Sequence, residues 1–474
     1  MTISGLPGAA NAGVTVTGPG NFNQVVTATQ TLTGLAPGNY IVTASNVTQM
    51  PYSYSSSVSG SPATVVASGN ANATVTYAAI TGAIQVTVDG IPAGTSSNVT
   101  VTGPGGFNQT VTGSQVLGTL VPGTYSISVS TVRTNGSIVD QLYTGSGGGP
   151  AAVTAGATAT GAVTYSLVAG TGKLWVALAG GSVVGYDGSQ LAAGGALTPS
   201  VALTTGQADQ AVVFDRAHQA WKVDQGGTLS RFPPAQLASS SSPTPDVVIN
   251  GPSLTSPLGM AFDSSNNAWV TNAQQHNLVK FTSAQLAGSG GPTADVTISA
   301  TVGGSLSFPA VPAFDRAGNL WVASQGNNTV VMFTPAQQSS SGSHVPAVTL
   351  SSASLSVPVG LAFDSANNLW VSNYVGNTVV MFTPAQRAAP EPQDPAITLS
   401  AAAYNNPSCL AFDNGGNLWV VNVGSRVLMK FTPAQIAGSG SPIATTTITG
   451  LETVASTLSW CSFSPAPTAV PLFQ

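Results

Sequence analysis

Six tryptophans divide the second half of this chain into near-equal intervals. They stand at 175, 221, 269, 321, 370 and 419, separated by 46, 48, 52, 49 and 49 residues. Seven residues before five of them comes a Phe followed by Asp: Phe214, Phe262, Phe314, Phe363 and Phe412. A Pro lies five residues ahead of four of these Phe, at Pro257, Pro309, Pro358 and Pro407. After each Trp runs a segment such as NTVVMFTPAQ (377–386), then a Gly/Ser/Pro loop and a short apolar stretch such as AITL (396–399). One period therefore holds four short strands: GLAFD, NLWVSN, TVVMF and AITL. A repeat of roughly 40 to 50 residues with four strands is the pattern of a propeller blade. A single such sheet leaves its faces bare, whereas a closed circle of them covers every face.

The blade count follows from the ends of the repeat region. Five complete units begin at Phe214 to Phe412. An earlier unit, KLWVALAGGSVVGYDGSQL through SVALT, lacks an innermost strand. The tail STLSWCSFSPAP (456–467) offers a spare one, with Phe463 in the Phe-Asp position. Six blades over residues 169–474 are predicted, the tail completing the first sheet and removing an exposed edge. Cys409 and Cys461 both lie on innermost strands that this closure makes neighbours, which can bring their Cα atoms within the spacing a disulfide needs; the alternative is two small buried thiols. Such a bridge closes a loop worth roughly 3 to 4 kcal/mol and favours an oxidising compartment. With two cysteines and no CxxC, a zinc site is not expected.

The front half is a duplication. GVTVTGPGNFNQVVTATQTLTGLAPGNYIVTAS (13–45) returns as NVTVTGPGGFNQTVTGSQVLGTLVPGTYSISVS (98–130), and Gly18, Phe22, Pro37 and Tyr40 recur 85 residues on as Gly103, Phe107, Pro122 and Tyr125. The endings TVTYAAI (74–80) and AVTYSLV (162–168) also match. Alternating Val/Thr runs punctuated by Gly-Pro and Pro-Gly predict two β-sandwich repeats, 1–80 and 81–168. In each, Pro-Gly-x-Tyr sets a turn before a strand whose Tyr anchors the corner by a hydrogen bond. Met1 aligns with Val86, so the first repeat lacks the start of its first strand. An export signal or anchor upstream is the expectation drawn from that.

Two resemblances refine this reading. The segments LAPGNYIV (35–42) and LVPGTYSI (120–127) resemble immunoglobulin-like, carboxypeptidase-regulatory-like modules, which serve as stalks in bacterial surface proteins. The segment VPVGLAFDSANNLWVSNYVGNTVVMF (357–382) resembles NHL-repeat propellers and the wider six-bladed group that includes virginiamycin B lyase and the gluconolactonase enzymes. The fold class read here is all-β: two tandem Ig-like β-sandwiches followed by a six-bladed β-propeller closed by the C-terminal strand.

Composition narrows the partners. Asp, Glu, Lys and Arg make up 5% of the chain, against about 25% in an average domain. The ten basic residues form no tract, so nucleic acid is not an expected partner. No apolar run reaches the ~18 residues of a membrane span. Such a neutral, Thr- and Gly-rich β composition fits an exported, extracellular or cell-surface protein.

The recurring Asp215, Asp263, Asp315, Asp364 and Asp413 read as turn caps accepting backbone N–H groups, because a catalytic site breaks the symmetry of its scaffold. Calcium is the one metal these turns raise, but it wants 6 to 8 oxygens; no cofactor is expected. The tryptophans read as packing between blades. His218 and His344 read as solvated loop residues. The ligand-binding candidates are the residues ending strand two of each blade and those in the following turn: Asp224, Asn272, His276, Ser324, Asn373, Tyr374, Asn422 and Arg426, with Lys222, Gln274, Gln325 and Asn327 beside them. This rim suits a polar ligand, a glycan or a protein. The resemblance to virginiamycin B lyase and gluconolactonase implies a metal-dependent lyase or lactonase using acidic and His residues. The only two Glu, Glu391 and Glu452, fall in loops, and no Glu/His cluster is found, so no catalytic residue is assigned; Asp224 with His276 is the pair to test. A structural subunit of a surface layer or filament, formed by self-assembly, is the other alternative.

Overall fold

The computed structural model describes residues 1–8, 10–134, 140–178, 180–206, 209–299, 304–389, 393–450 and 461–464. Glu391, Glu452, Trp460 and the first part of the C-terminal tail lie outside the described residues. The chain is almost entirely β and divides into two compact units, Met1–Val132 with Tyr143–Ser166, and Arg133–Leu142 with Leu167–Gln474.

In the first unit each repeat has its own core between sheets. The alternation does the sorting: Val14 and Val16 of Val14–Gly18, and Val99 and Val101 of Val99–Gly103, point inward while the threonines between them point out. The residues that recur at a shift of 85 form one packing group. Tyr40 Oη donates to the Ala36 carbonyl (3.0 Å), and Tyr125 Oη to that of Val121 (3.1 Å). Phe22 and Phe107 meet those rings edge-on at 5.4 and 5.5 Å. A Cβ on Gly18 or Gly103 would sit 2.3 or 2.2 Å from the same ring, so only Gly fits there.

The second unit is a propeller of six sheets, each built on four antiparallel strands, two of them with a short parallel strand added at the outer edge. Blades two to six are contiguous in sequence, their innermost strands being Asp209–Phe214, Pro257–Phe262, Pro309–Phe314, Pro358–Phe363 and Pro407–Phe412. Blade one is assembled from Lys173–Leu178, Ser182–Asp187 and Val201–Thr204 with Cys461–Ser464 as its innermost strand. Phe463 pairs with Leu174, the residue before Trp175, as Phe363 pairs with Leu369, the residue before Trp370. Each innermost strand packs on the next, and Cys461–Ser464 packs on those of blades six and two, so the circuit closes. Cys409 and Cys461 are disulfide-bonded, with Cα atoms 5.8 Å apart.

Tryptophan binds blade to blade. Trp175, Trp221, Trp321 and Trp370 are buried against Phe214, Phe262, Phe363 and Phe412 of the following blade, with ring centroids 5.9 to 6.3 Å apart. Each aromatic of this size buries about 150 to 250 Å², which makes the Trp–Phe pairs the main apolar seam between sheets.

Candidate functional site

The two ends of the propeller carry different chemistry. At one end lie the Phe-Asp turns. Asp413 Oδ1 accepts the backbone N–H of Gly415 (2.9 Å) and of Asn417 (2.9 Å), and its Oδ2 accepts the Trp419 indole N–H (2.9 Å). Asp215, Asp315 and Asp364 repeat this set with Trp221, Trp321 and Trp370, each indole at 3.0 Å. Asp263 caps its turn in the same way, taking the Ser265 and Asn267 N–H groups. Thus one carboxylate both closes the turn and satisfies a buried indole, which is why Phe-Asp and Trp recur at fixed spacing. Burial pushes the Asp215 and Asp413 carboxyls above the usual carboxylate range, against the opposing pull of those hydrogen bonds.

At the other end strand two of each blade runs into the turn that the sequence marks as a binding rim. That set separates into two groups. Asn272, Ser324, Asn373, Asn422 and Asp224 are buried and face their own chain. Asn272 accepts the Thr255 N–H (3.0 Å) and donates to the Ser253 carbonyl (2.7 Å) and to Asn277 Oδ1 (2.9 Å). Asn373 does the same with Ser356, Ser354 and Thr378. Ser324 Oγ accepts the Ser307 N–H (2.8 Å), and Asn422 accepts that of Asn405 (3.3 Å). These side chains tie down the loop that leads into the innermost strand. Asp224 Oδ1 accepts the Thr228 N–H (3.3 Å); burial raises its pKa, and neighbouring Lys222 opposes that shift. Lys222 is buried, its Nζ 3.3 Å from the Thr205 carbonyl.

His276, Tyr374 and Arg426 sit in the turns themselves. His276 has φ 52°, and its Nδ1 accepts the Phe308 N–H of the next blade at 3.0 Å, the two rings meeting edge-on at 4.9 Å. Asn328 and Asn377 occupy the matching left-handed position in the following blades and accept the N–H groups of Val357 and Asn406. His276 is therefore a blade-to-blade tether, and its proton resides on Nε2 while that bond is made. Tyr374 is half-buried against the core, its carbonyl accepting from Asn406 Nδ2. Arg426 is exposed, as are Gln274, Gln275 and Asn327; Gln325 is half-buried.

The other two histidines are less solvated than their loops suggest. His218 is half-buried, and burial, reinforced by Arg133, lowers its pKa. His344 Nε2 lies 2.9 Å from the Ser340 carbonyl. Among the described residues no three His, Cys, Asp or Glu side chains gather closely enough to hold a metal ion, and no helix is long and apolar enough to cross a membrane.

Sequence reasoning missed Arg387. It is buried beside Asp315, between Trp321 and Phe363. The available signal was positional: the matching sites in the other PAQ or SAQ segments hold Leu237, Leu286, Gln338 and Ile436, never a cation.

No family profile matches the chain, and no curated protein sequence matches it either. Solved structures match part of it. Selenomethionine-substituted virginiamycin B lyase from Staphylococcus aureus aligns at 17% identity over 56% of this chain and 80% of that one, with a TM-score of 0.38. A nidogen/laminin complex aligns at 14% over 62% and 98%, with a TM-score of 0.44. A protein of unknown function from Bacteroides caccae aligns at 10% over 61% and 98%, with a TM-score of 0.42. The propeller assignment rests on the closed circuit of sheets described above.

Proposed function

We propose that this chain is an exported, non-enzymatic binding protein whose propeller unit offers a loop-lined face to a polar ligand, a glycan or another protein, with the β-sandwich unit serving as a stalk. The observation that carries export is the Cys409–Cys461 bridge between innermost strands, since such bonds persist in oxidising compartments. The surface chemistry agrees, being wetted by amides and hydroxyls with only 5% charged residues. Binding is assigned to the strand-two turns because the buried amides there hold the loops in place while Gln274, Gln275 and Val375 remain exposed.

The test is a glycan and peptide array probed with the full chain and with a Gln274→Ala/Gln275→Ala/Val375→Asp variant. Selective capture by the wild type, lost in the variant at an unchanged melting temperature, is expected. Equal capture by both, or none by either, overturns the assignment of the rim. Turnover of a lactone or cyclic depsipeptide would replace the binding reading with an enzymatic one, and polymers in sedimentation would replace it with a structural one.

A further inference from the structure

Blades four and five enclose a guanidinium of the chain's own. Arg387 Cζ lies 4.8 Å from the Trp321 ring centroid and 5.0 Å from that of Phe363. Its Nη1 is 3.7 Å from Asp315 Oδ2, and Nη2 donates to the Asn367 carbonyl at 2.5 Å. Two aromatic plates, a carboxylate and a carbonyl thus hold one planar cation, the arrangement in which Arg outperforms Lys.

The same receptacle recurs 49 residues later without its cation. Asp315, Trp321, Phe363 and Asn367 become Asp364, Trp370, Phe412 and Gly416, and all four line a cavity of about 420 Å³ between blades five and six. Arg387 itself becomes Ile436, which also lines the cavity and leaves it unfilled. The cavity falls within the usual size range of a ligand site. Asp315 beside Arg387 is buried, whereas Asp364 is only partly so.

A second pattern points to the same place. Trp221, Trp269 and Trp419 each carry a cation from strand three of their own blade, Arg231, Lys280 and Lys430, at 5.6, 5.9 and 5.5 Å from the ring centroid. Trp321 has Met332 at that cross-strand position and receives Arg387 instead. Trp370 has Met381 there, and among the described residues no Lys or Arg covers it. Blade five, whose Trp has no such cation among the described residues, borders this cavity.

We infer that the blade five–six cavity is a binding site for a guanidinium, the side chain of an arginine presented by a partner chain, stacked between Trp370 and Phe412 and paired with Asp364. The Gly416 carbonyl takes the role that the Asn367 carbonyl plays toward Arg387, and buried Asp413 adds negative potential at the base of the site. The site lies at the Phe-Asp end of the propeller, so it stands whether or not the strand-two rim binds anything.

The experiment labels the full chain with 5-fluorotryptophan, giving one ¹⁹F resonance for each of its seven Trp, and assigns Trp370 by Trp370→Phe. The probes are acetyl-Gly-Arg-Gly-amide and the same peptide with Lys or citrulline in place of Arg. A saturable shift of the Trp370 resonance with the Arg peptide is expected, with binding about tenfold weaker for the Lys and citrulline peptides. Ile436→Arg places the chain's own guanidinium in the cavity and is expected to abolish the shift. Met381→Lys, which imports the cation of the other blades, is expected to do the same if Ile436→Arg does not fold. Arg387→Ile is expected to make Trp321 respond as well. An unmoved Trp370 resonance at saturating millimolar peptide, an equal response to citrulline or Lys, or a full response in the filled variants overturns the inference.

Discussion

Blade one and the five blades after it reach the same register by different routes, and the difference shows what the Phe-Asp signature is for. In blades two, four, five and six the Asp joins a turn to an indole. In blade one the innermost strand arrives from the far end of the chain, so no turn connects Phe463 to Leu174 and there is nothing to cap. Ser464 stands where Asp would, its Oγ without a partner among the described residues, and the Trp175 indole donates instead to the Gly170 carbonyl at 2.9 Å. The indole's need for an acceptor is general, whereas the carboxylate is required only where a tight turn must also be closed. Blade three lies between these cases: Asp263 caps its turn, but the Trp269 N–H finds no acceptor among the described residues.

The contrast can be broken most forcefully at the disulfide, which stands in for the covalent continuity that blade one lacks. Cys409→Ser with Cys461→Ser removes a cross-link spanning 52 residues, an expected loss of roughly 4 kcal/mol by the loop-entropy estimate. Hydrogen exchange is expected to rise first in Lys173–Leu178 while Leu369–Asn373 stays protected. Uniform loss of protection would show that blade one is no weaker than the rest.

A smaller effect separates the capping residues. Asp413→Ala strands two turn amides and the Trp419 indole in a buried setting, costing about 2 to 3 kcal/mol. Ser464→Ala removes a hydroxyl without a described partner and is expected to change stability by less than about 0.5 kcal/mol. Denaturant midpoints measure both, and comparable losses would erase the distinction between capped and uncapped blades.

The strand-two tethers come next. His276→Ala is expected to cost about 1 kcal/mol by freeing the Phe308 N–H, while His276→Asn is expected to be neutral because Asn328 and Asn377 perform this task elsewhere. A large loss of stability in His276→Asn would mean that the imidazole does more than accept that bond.

The mildest test is acidity. The Asp413 carboxyl is lifted above its ordinary 3.8 by burial, so the folded state holds this proton more tightly than the unfolded one. Its contribution is complete below the unfolded value and is lost as pH rises through the folded value. Melting temperatures of Asp413→Asn across the weakly acidic range are therefore expected to fall less with rising pH than those of the wild type; an equal or steeper fall would contradict the sign. Blade one, with Ser464, has no such group.

Much of this was legible in the sequence because repetition exposes it. A Phe-Asp and a Trp at fixed spacing, five times over, announced caps and seams, and Phe463 in the tail announced closure. The role of the rim amides was not legible. Asn272 and Asn373 look like exposed strand ends, yet they reach back 17 to 19 residues to the loops SLTSP (253–257) and SLSVP (354–358), and nothing in the spacing alone ties those serines and threonines to the amides. His276 hid for a related reason, since its counterparts Asn328 and Asn377 share its left-handed backbone and acceptor but not its residue type. Arg387 appears once, at a position that elsewhere holds Leu, Gln or Ile, and a periodic reading averages such a residue away.

Closure by Cys461–Ser464 also sets an order of events. Leu174 cannot gain its partner Phe463 until residue 464 has left the ribosome, so the first sheet made is the last one finished. Until then both flanks of an incomplete circle stay unpaired, and joining them demands the longest-range contact in the unit, the kind that folds slowly and meets other chains on the way.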